Sequence, residues 1–288
     1  MSDSDSNSEV RRKVRQIVRF ENGSFESQSD FLATEEPLEI RVVFGPVEKR
    51  KDRSLSITMR TPGNDHELAA GFMLGEGIVA RPDEIVRFEE TGKQDEETGK
   101  SNQLCVHLRE TVTFDFGSLQ RNFYTTSSCG ICGKASLEAV RAQLKEPVSD
   151  DEFQVDPSVI RALPSTLRKY QSTFDETGGL HAAGLFDQNG KLIDCREDVG
   201  RHNALDKLIG KQFLDAVTPL QRKIVLVSGR ASFELVQKVI STGATILVAV
   251  GAPSSLAVEL AEEFGVTLTG FTSHDRFNVY SHANRIGS

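Results

Sequence analysis

From Thr177 to Phe271 the chain alternates short apolar runs with helix-forming stretches, and glycine-rich turns join them. No other feature limits the fold so closely. Gly184-Leu-Phe-Asp187 and Lys191–Cys195 flank the turn Gln188-Asn-Gly190, which predicts an antiparallel hairpin. A helix over Val199–Leu214 follows, then the strand Lys223–Ser228. Helices at Phe233–Thr242 and Leu256–Phe264 alternate with strands at Thr245–Val250 and Thr267–Phe271, and Phe277–Tyr280 makes one more strand. Runs such as Ile224-Val-Leu-Val227 are apolar throughout, as strands covered on both faces must be. A hairpin leading into alternating helices and strands implies an α/β sandwich with a mixed sheet.

The first half reads differently. Residues 1–12 are acidic and serine-rich and are expected to be a disordered tail. Strand-like runs follow at Val14–Phe20, Leu38–Phe44 and Ser54–Arg60, and Leu55–Met59 alternates as a half-buried strand does. The turn Thr61-Pro-Gly-Asn-Asp65 leads into Glu67–Gly77, an apolar helix whose glycines imply close packing on a neighbour. Residues 91–103 read as a loop between strands, with Leu104–Leu108 and Val112–Phe116 as two further strands. Residues 13–125 thus form a small α+β unit, and 126–288 the α/β unit. An acidic, proline-bearing connection at 145–157 precedes a helical stretch, Ser158–Phe174, expected to break near Pro164.

The chemistry-bearing motif is Ser127-Ser128-Cys129-Gly130-Ile131-Cys132-Gly133, placed just before the helix-forming run 134–144. A helix start carries roughly half a positive charge and unpaired N–H groups, which favour a thiolate, the reactive form of cysteine. Lys134 adds a full charge. One C-x-x-C supplies two zinc ligands where a structural site needs four. The zinc deaminases use H-x-E with P-C-x-x-C; no H-x-E occurs here, His181 is followed by two alanines, and Ser128 stands where the proline would. Thioredoxin-type exchange calls for a βαβ context that the motif lacks. Sulfur carriage as a persulfide is the remaining chemistry. Cys105 and Cys195 occupy strand-like runs and read as packing residues.

A net charge of −8 and a pI near 5.4 give no electrostatic reason for a nucleic-acid partner. Two basic clusters, Arg11–Arg19 and Lys49–Arg53, read as solvated faces. No apolar run reaches the roughly 20 residues of a membrane span, and the first residues lack a signal-peptide core, so a cytoplasmic protein is expected. Three loops follow strands: Ser228-Gly229-Arg230, Gly251–Ser255 and Gly270–Arg276. The first two open helices, whose first N–H groups suit an anion. Arg201, His202 and Asn203 crowd one helical turn, which suggests a ligand-facing end; Asp198 reads as a helix cap.

Taken together, SSCGICGKAS, TGGLHAAGLF, EDVGRHNALDKLIG, VSGRASFELVQK, GAPSSLAVELA and TLTGFTSHDRFNVYSHANRI resemble the formate dehydrogenase accessory sulfurtransferase family (FdhD/NarQ). The resemblance runs from about residue 35 onward. It implies a cytidine-deaminase-like three-layer sandwich without the deaminase zinc. It implies sulfur taken from a cysteine desulfurase and passed to the bis-molybdopterin guanine dinucleotide form of the molybdenum cofactor, for insertion into the formate dehydrogenase apoenzyme. It places the persulfide on Cys129, with Cys132 as auxiliary thiol, and suggests a homodimer. Guanine nucleotides would be partial mimics of the cofactor. The family's cofactor-binding segment falls on Phe271, Thr272, Ser273, His274, Asp275 and Arg276, with Phe271 on guanine and Arg276 on a phosphate. Relatives more often read Phe-x-Arg-Gly-x-Arg there; Ser273 and His274 replace the Arg and Gly. A cofactor-binding chaperone without sulfur transfer is the alternative reading.

Overall fold

The computed structural model describes residues 11–94, 101–114 and 152–287. Cys129, Cys132 and the run 134–144 lie outside the described residues. The chain opens on a long hairpin, β1 (Arg12–Glu21) with β2 (Ser24–Ala33). Asn22 and Gly23 turn it with φ of +52° and +85°, the doubly left-handed turn that matches strand twist. One face of the hairpin carries exposed Val14, Val18, Phe20, Phe25 and Phe31. β2 has no apolar alternation; its pairing along the whole of β1 makes it a strand, and the Asn-Gly pair is the signal that announces it.

The small unit is a four-stranded sheet in the order β4-β3-β6-β5, formed by β3 (Glu36–Phe44), β4 (Lys51–Arg60), β5 (Ile85–Gln94) and β6 (Ser101–Leu108). β5 was absent from the expected elements, being polar along much of its length; it is an edge strand paired to β6 alone. β5 and β6 reach into the stretch expected to be a loop at 91–103, of which 95–100 lie outside the described residues. Val112–Phe114 follow a turn and are not a strand. Leu38, Ile40, Val42, Leu104 and Val106 meet Leu68, Ala69, Met73 and Leu74 of α1 (Asp65–Gly75) in one core.

The α/β unit is a six-stranded sheet, ordered β12-β11-β10-β9-β7-β8. Its members are β7 (His181–Phe186), β8 (Leu192–Asp198), β9 (Ile224–Val227), β10 (Ile246–Ala249), β11 (Thr267–Gly270) and β12 (Asn278–Ser281). β9, β10 and β11 are parallel, while β7 and β12 run antiparallel to their neighbours β9 and β11. α4 (Arg201–Leu214), α5 (Phe233–Thr242) and α6 (Ser255–Glu263) cover one face through Leu205, Leu208, Leu235, Val239 and Leu260. α2 (Pro157–Arg168) covers the other through Ile160, Leu163 and Leu167 on Ala182, Phe186, Leu226 and Val248. This is a three-layer α/β sandwich with a mixed sheet, beside a smaller α+β unit. Each aliphatic side chain so buried contributes roughly 1.5–3 kcal/mol.

Pro164 does not break α2. The helix runs through it to Arg168, and α3 (Ser172–Thr177) starts only after a gap. Proline removes one N–H from a helix that three buried side chains hold to the sheet, and the hydroxyls of Ser165 and Thr166 donate to the Ala162 carbonyl in the same turn.

Two glycines set how the units meet. α1 crosses α4 at Gly71 and Gly210. A Cβ on Gly71 would lie 1.9 Å from the Asp206 carbonyl oxygen, and one on Gly210 would lie 1.8 Å from that of Glu67. Only backbone without side chains can cross at that distance.

Candidate functional site

The stretch EDVGRHNALDK turns out to be a joint as much as a ligand-facing end. Asp198 and Lys207 are wholly buried and pair at 2.6 Å. Asp198 Oδ1 accepts from the Gly200 N–H at 2.8 Å and from Asn203 Nδ2 at 3.1 Å, while Oδ2 accepts from the Thr61 N–H at 3.1 Å. Lys207 donates to the Thr61 carbonyl at 2.7 Å, and the Val199 N–H donates to Thr61 Oγ1 at 3.1 Å. Asn203 donates to the Met59 carbonyl at 2.8 Å and accepts from Thr58 at 3.1 Å. Asp198 is thus not the helix cap. Gly200 takes that position, and the carboxylate, with Lys207 and Asn203, fastens the end of β4 to the start of α4. Burial lowers the Lys207 pKa, against the pull of Asp198.

Arg201 points the other way, over the loop after β9. Its Cδ lies 3.5 Å from where a Cβ on Gly229 would be, and His181 Nδ1 lies at the same distance. Burial, and then Arg201, holds the His181 pKa below its usual value, with Asp198 opposing. Arg201 Nε is buried without a hydrogen-bond partner. The three loops predicted from sequence do come together, because parallel strands end side by side. The Gly251 N–H donates to the Gly229 carbonyl at 2.9 Å, Ala231 bridges Pro253, and the Phe271 N–H donates to the Gly251 carbonyl at 3.1 Å. The first two loops, with Arg201, line a pocket of about 230 Å³ through Arg230, Ser232, Pro253 and Ser254. The first turns of α5 and α6 open onto it. Two guanidiniums, two hydroxyls and two helix starts form a donor set suited to phosphate oxygens.

The segment expected to bind cofactor sits on the rim of these loops. Phe271 is 46% exposed and left-handed, with φ +51°. A non-glycine residue held there costs on the order of 1 kcal/mol, and the turn leaves its ring facing solvent. Thr272 is buried, with its hydroxyl 3.5 Å from that of Thr269, so it supports the turn. Ser273 and Arg276 close that turn on each other: the Ser273 N–H donates to the Arg276 carbonyl at 2.8 Å. His274 and Asp275 are exposed and 3.1 Å apart. The side chains of Phe271, His274, Asp275 and Arg276 are therefore accessible, whereas Thr272 is turned inward and Ser273 is engaged in the turn.

A second cavity, of about 300 Å³, was not anticipated. It lies between the small unit's sheet and the helices, lined by Phe72, Glu76, His202, Asp206, Glu234 and Lys238 among others. Lys238 pairs with Asp206 at 2.8 Å. The charged residues inside the otherwise apolar faces of α4 and α5 are the signal that could have located it. His202 Nε2 is 3.1 Å from Ser232 Oγ, so the two pockets share a wall.

Cys105 is buried on β6 and Cys195 partly buried on β8. Burial, reinforced by Glu197, pushes the Cys195 thiol up to about 12; it stays protonated and is no nucleophile. Among the described residues no group of three or more His, Cys, Asp or Glu could hold a metal ion, and no helix is long and apolar enough to cross a membrane.

The model of the FdhD/NarQ family matches residues 33–287. The chain is 47% identical over 274 residues to a protein of Streptomyces coelicolor named sulfur carrier protein FdhD, covering 94% of both chains. It is 38% identical over 277 residues to the protein of that name from Saccharolobus solfataricus, covering 96% of this chain and 99% of the other. A crystal structure of a formate dehydrogenase accessory protein from Desulfotalea psychrophila superposes with a TM-score of 0.72 at 24% identity, over 96% of this chain and 99% of that one. With the family pattern spanning the whole of the four-stranded and six-stranded sheets, and relatives of this identity matched nearly end to end, the chain belongs to the FdhD/NarQ family.

Proposed function

We propose that this protein is a cytoplasmic sulfur carrier in the maturation of formate dehydrogenase. The observation that carries the reading is the near full-length match to proteins named sulfur carrier protein FdhD. In this reading Cys129 takes a sulfane sulfur from a cysteine desulfurase. A bond forms between Cys129 Sγ and that sulfur, the desulfurase S–S bond breaks, and its cysteine leaves as thiolate. Cys132 is the auxiliary thiol. The acceptor is the bis-molybdopterin guanine dinucleotide cofactor, later inserted into the formate dehydrogenase apoenzyme, and the protein works as a homodimer.

The loop cluster supports the acceptor half of this reading. The orphaned, buried Arg201 Nε and the Arg230 guanidinium present donors that fit a pyrophosphate. Phe271 offers an exposed ring for guanine beside them, and Arg276 a third cation, on the rim. The chain's own contribution is to bind and orient: charge-assisted contacts fix the phosphates, and ring contact fixes the base. Neither described cysteine competes for sulfur, since one is buried and the other is held protonated.

The test is Cys129→Ala. The variant should lose formate dehydrogenase maturation completely and keep GDP binding, and mass spectrometry should find the persulfide on the Cys129 peptide of the native protein only. Full maturation by the variant would sink sulfur carriage and leave a cofactor chaperone.

A further inference from the structure

The two pockets adjoin at the starts of α4 and α5. Arg201 lines the first and His202, the next residue, lines the second. Ser232 of the first lies 3.1 Å from His202 of the second. On the opposite flank, Phe271 is tied to Gly251, and Gly270 abuts Pro253, which lines the first pocket. Across the molecule the order is therefore an exposed aromatic ring, a cationic pocket, and a carboxylate-lined cavity.

The contents of that last cavity define what it takes. Ile40, Leu68 and Phe72 give it apolar walls, and Ser56 and Thr58 line it from β4. Asp206 is engaged by Lys238, which leaves Glu76 and Glu234 as the carboxylates facing the space. At about 300 Å³ it is at the low end for small-molecule sites, so it takes one end of a large ligand. A flat ligand with adjacent N–H and NH₂ donors satisfies a carboxylate in bidentate fashion, and its carbonyl is left for a hydroxyl or ammonium donor. A fused ring with a 2-amino-4-oxo edge has that pattern. Pterin and guanine share it.

We propose that the Arg201–Arg230 pocket holds a pyrophosphate and that the adjoining cavity of Phe72, Glu76 and Glu234 holds a 2-amino-4-oxo fused ring, the pterin end of the cofactor. The assignment rests on the cofactor-binding part of the function proposed above. It follows the order of the ligand's own parts: guanine on Phe271, pyrophosphate between the arginines, pterin beyond His202. It adds Glu76, Glu234, Arg201 and Arg230 to the segment 271–276 as binding residues.

Calorimetry on the full chain with GDP, inorganic pyrophosphate and 6-hydroxymethylpterin tests it. Glu234→Gln, at a half-buried position in the first turn of α5, should weaken the pterin about tenfold, the worth of one charge-assisted contact, and leave GDP and pyrophosphate unchanged. Arg230→Ala should weaken GDP and pyrophosphate by a similar factor and leave the pterin unchanged. Phe72→Leu should weaken the pterin alone. If Glu234→Gln weakens GDP and not the pterin, the ring in the cavity is guanine and the pterin assignment is overturned. If it weakens neither, or the native protein does not bind the pterin, the cavity is not a ring site. Persulfide formation on Cys129, measured on the same variants, reports on sulfur carriage separately: its loss would count against the carrier, not against the cavity.

Discussion

His202 shows what a single side chain can be asked to do in this protein. Its pKa is lowered to about 4, first by burial and then by Arg201 and Lys238, with Glu234 opposing and His181 adding to the fall. An unfolded imidazole titrates near 6.5, so the unfolded chain takes up its proton first as pH falls. Stability associated with neutral His202 is present above about pH 6.5 and is lost as pH drops through 4. Asp206, raised by burial to about 6, works in the opposite sense, losing its contribution as pH rises toward 6. A His202→Gln variant isolates the first effect. Relative to the native protein, it should become progressively more stable between pH 6.5 and 4, read by urea denaturation at pH 7 and pH 5. A constant difference across that range would remove the titration. The imidazole is about one-third exposed, which keeps the effect small.

Among the elements, the crossing of α1 and α4 is the most demanding. It has no slack, since a Cβ on Gly71 would meet backbone carbonyl rather than the tip of a side chain. Gly71→Ala should therefore cost roughly 3 kcal/mol, at the upper end for overpacking, as a fall in the urea midpoint. The glycine-bearing sequence of α1 announces close packing, but not the partner. The same limit applies elsewhere. Asn22-Gly23 announces a hairpin, yet β2 is a strand because β1 lies beside it. Pro164 announces a break, yet three buried side chains keep α2 continuous. The strands β9 and β10 were legible because burial on both faces leaves a run with no polar residue on either side of the pleat, whereas β11 carries Thr267 and Thr269, both buried. Val112–Phe114 carry apolar residues that pack on the small unit's core without entering its sheet, and apolar content alone does not separate the two cases.

For the molecule as a whole, the Asp198–Lys207 pair decides how the two units are held together. Removing one partner leaves a buried, uncompensated charge at the junction, so Asp198→Ala should destabilise by about 3–5 kcal/mol. The double variant Asp198→Ala, Lys207→Met should recover most of that in the same denaturation series, because no bare charge remains. If single and double variants unfold alike, the pair is not what fastens Thr58–Thr61 to α4. What the sequence determined alone is local: the order of helices and strands in the α/β unit, the hairpin turns and the three loops at strand ends. Periodicity and turn chemistry act over a few residues, and the sequence displays them directly. Tertiary structure decided which charges are buried in pairs, that Thr272 faces inward while Phe271 faces out, and that Phe72 and Glu234 line one cavity though they lie far apart in the chain. Those outcomes depend on which surfaces meet once both sheets have formed, and contacts between residues so distant in sequence leave no local pattern from which they can be read.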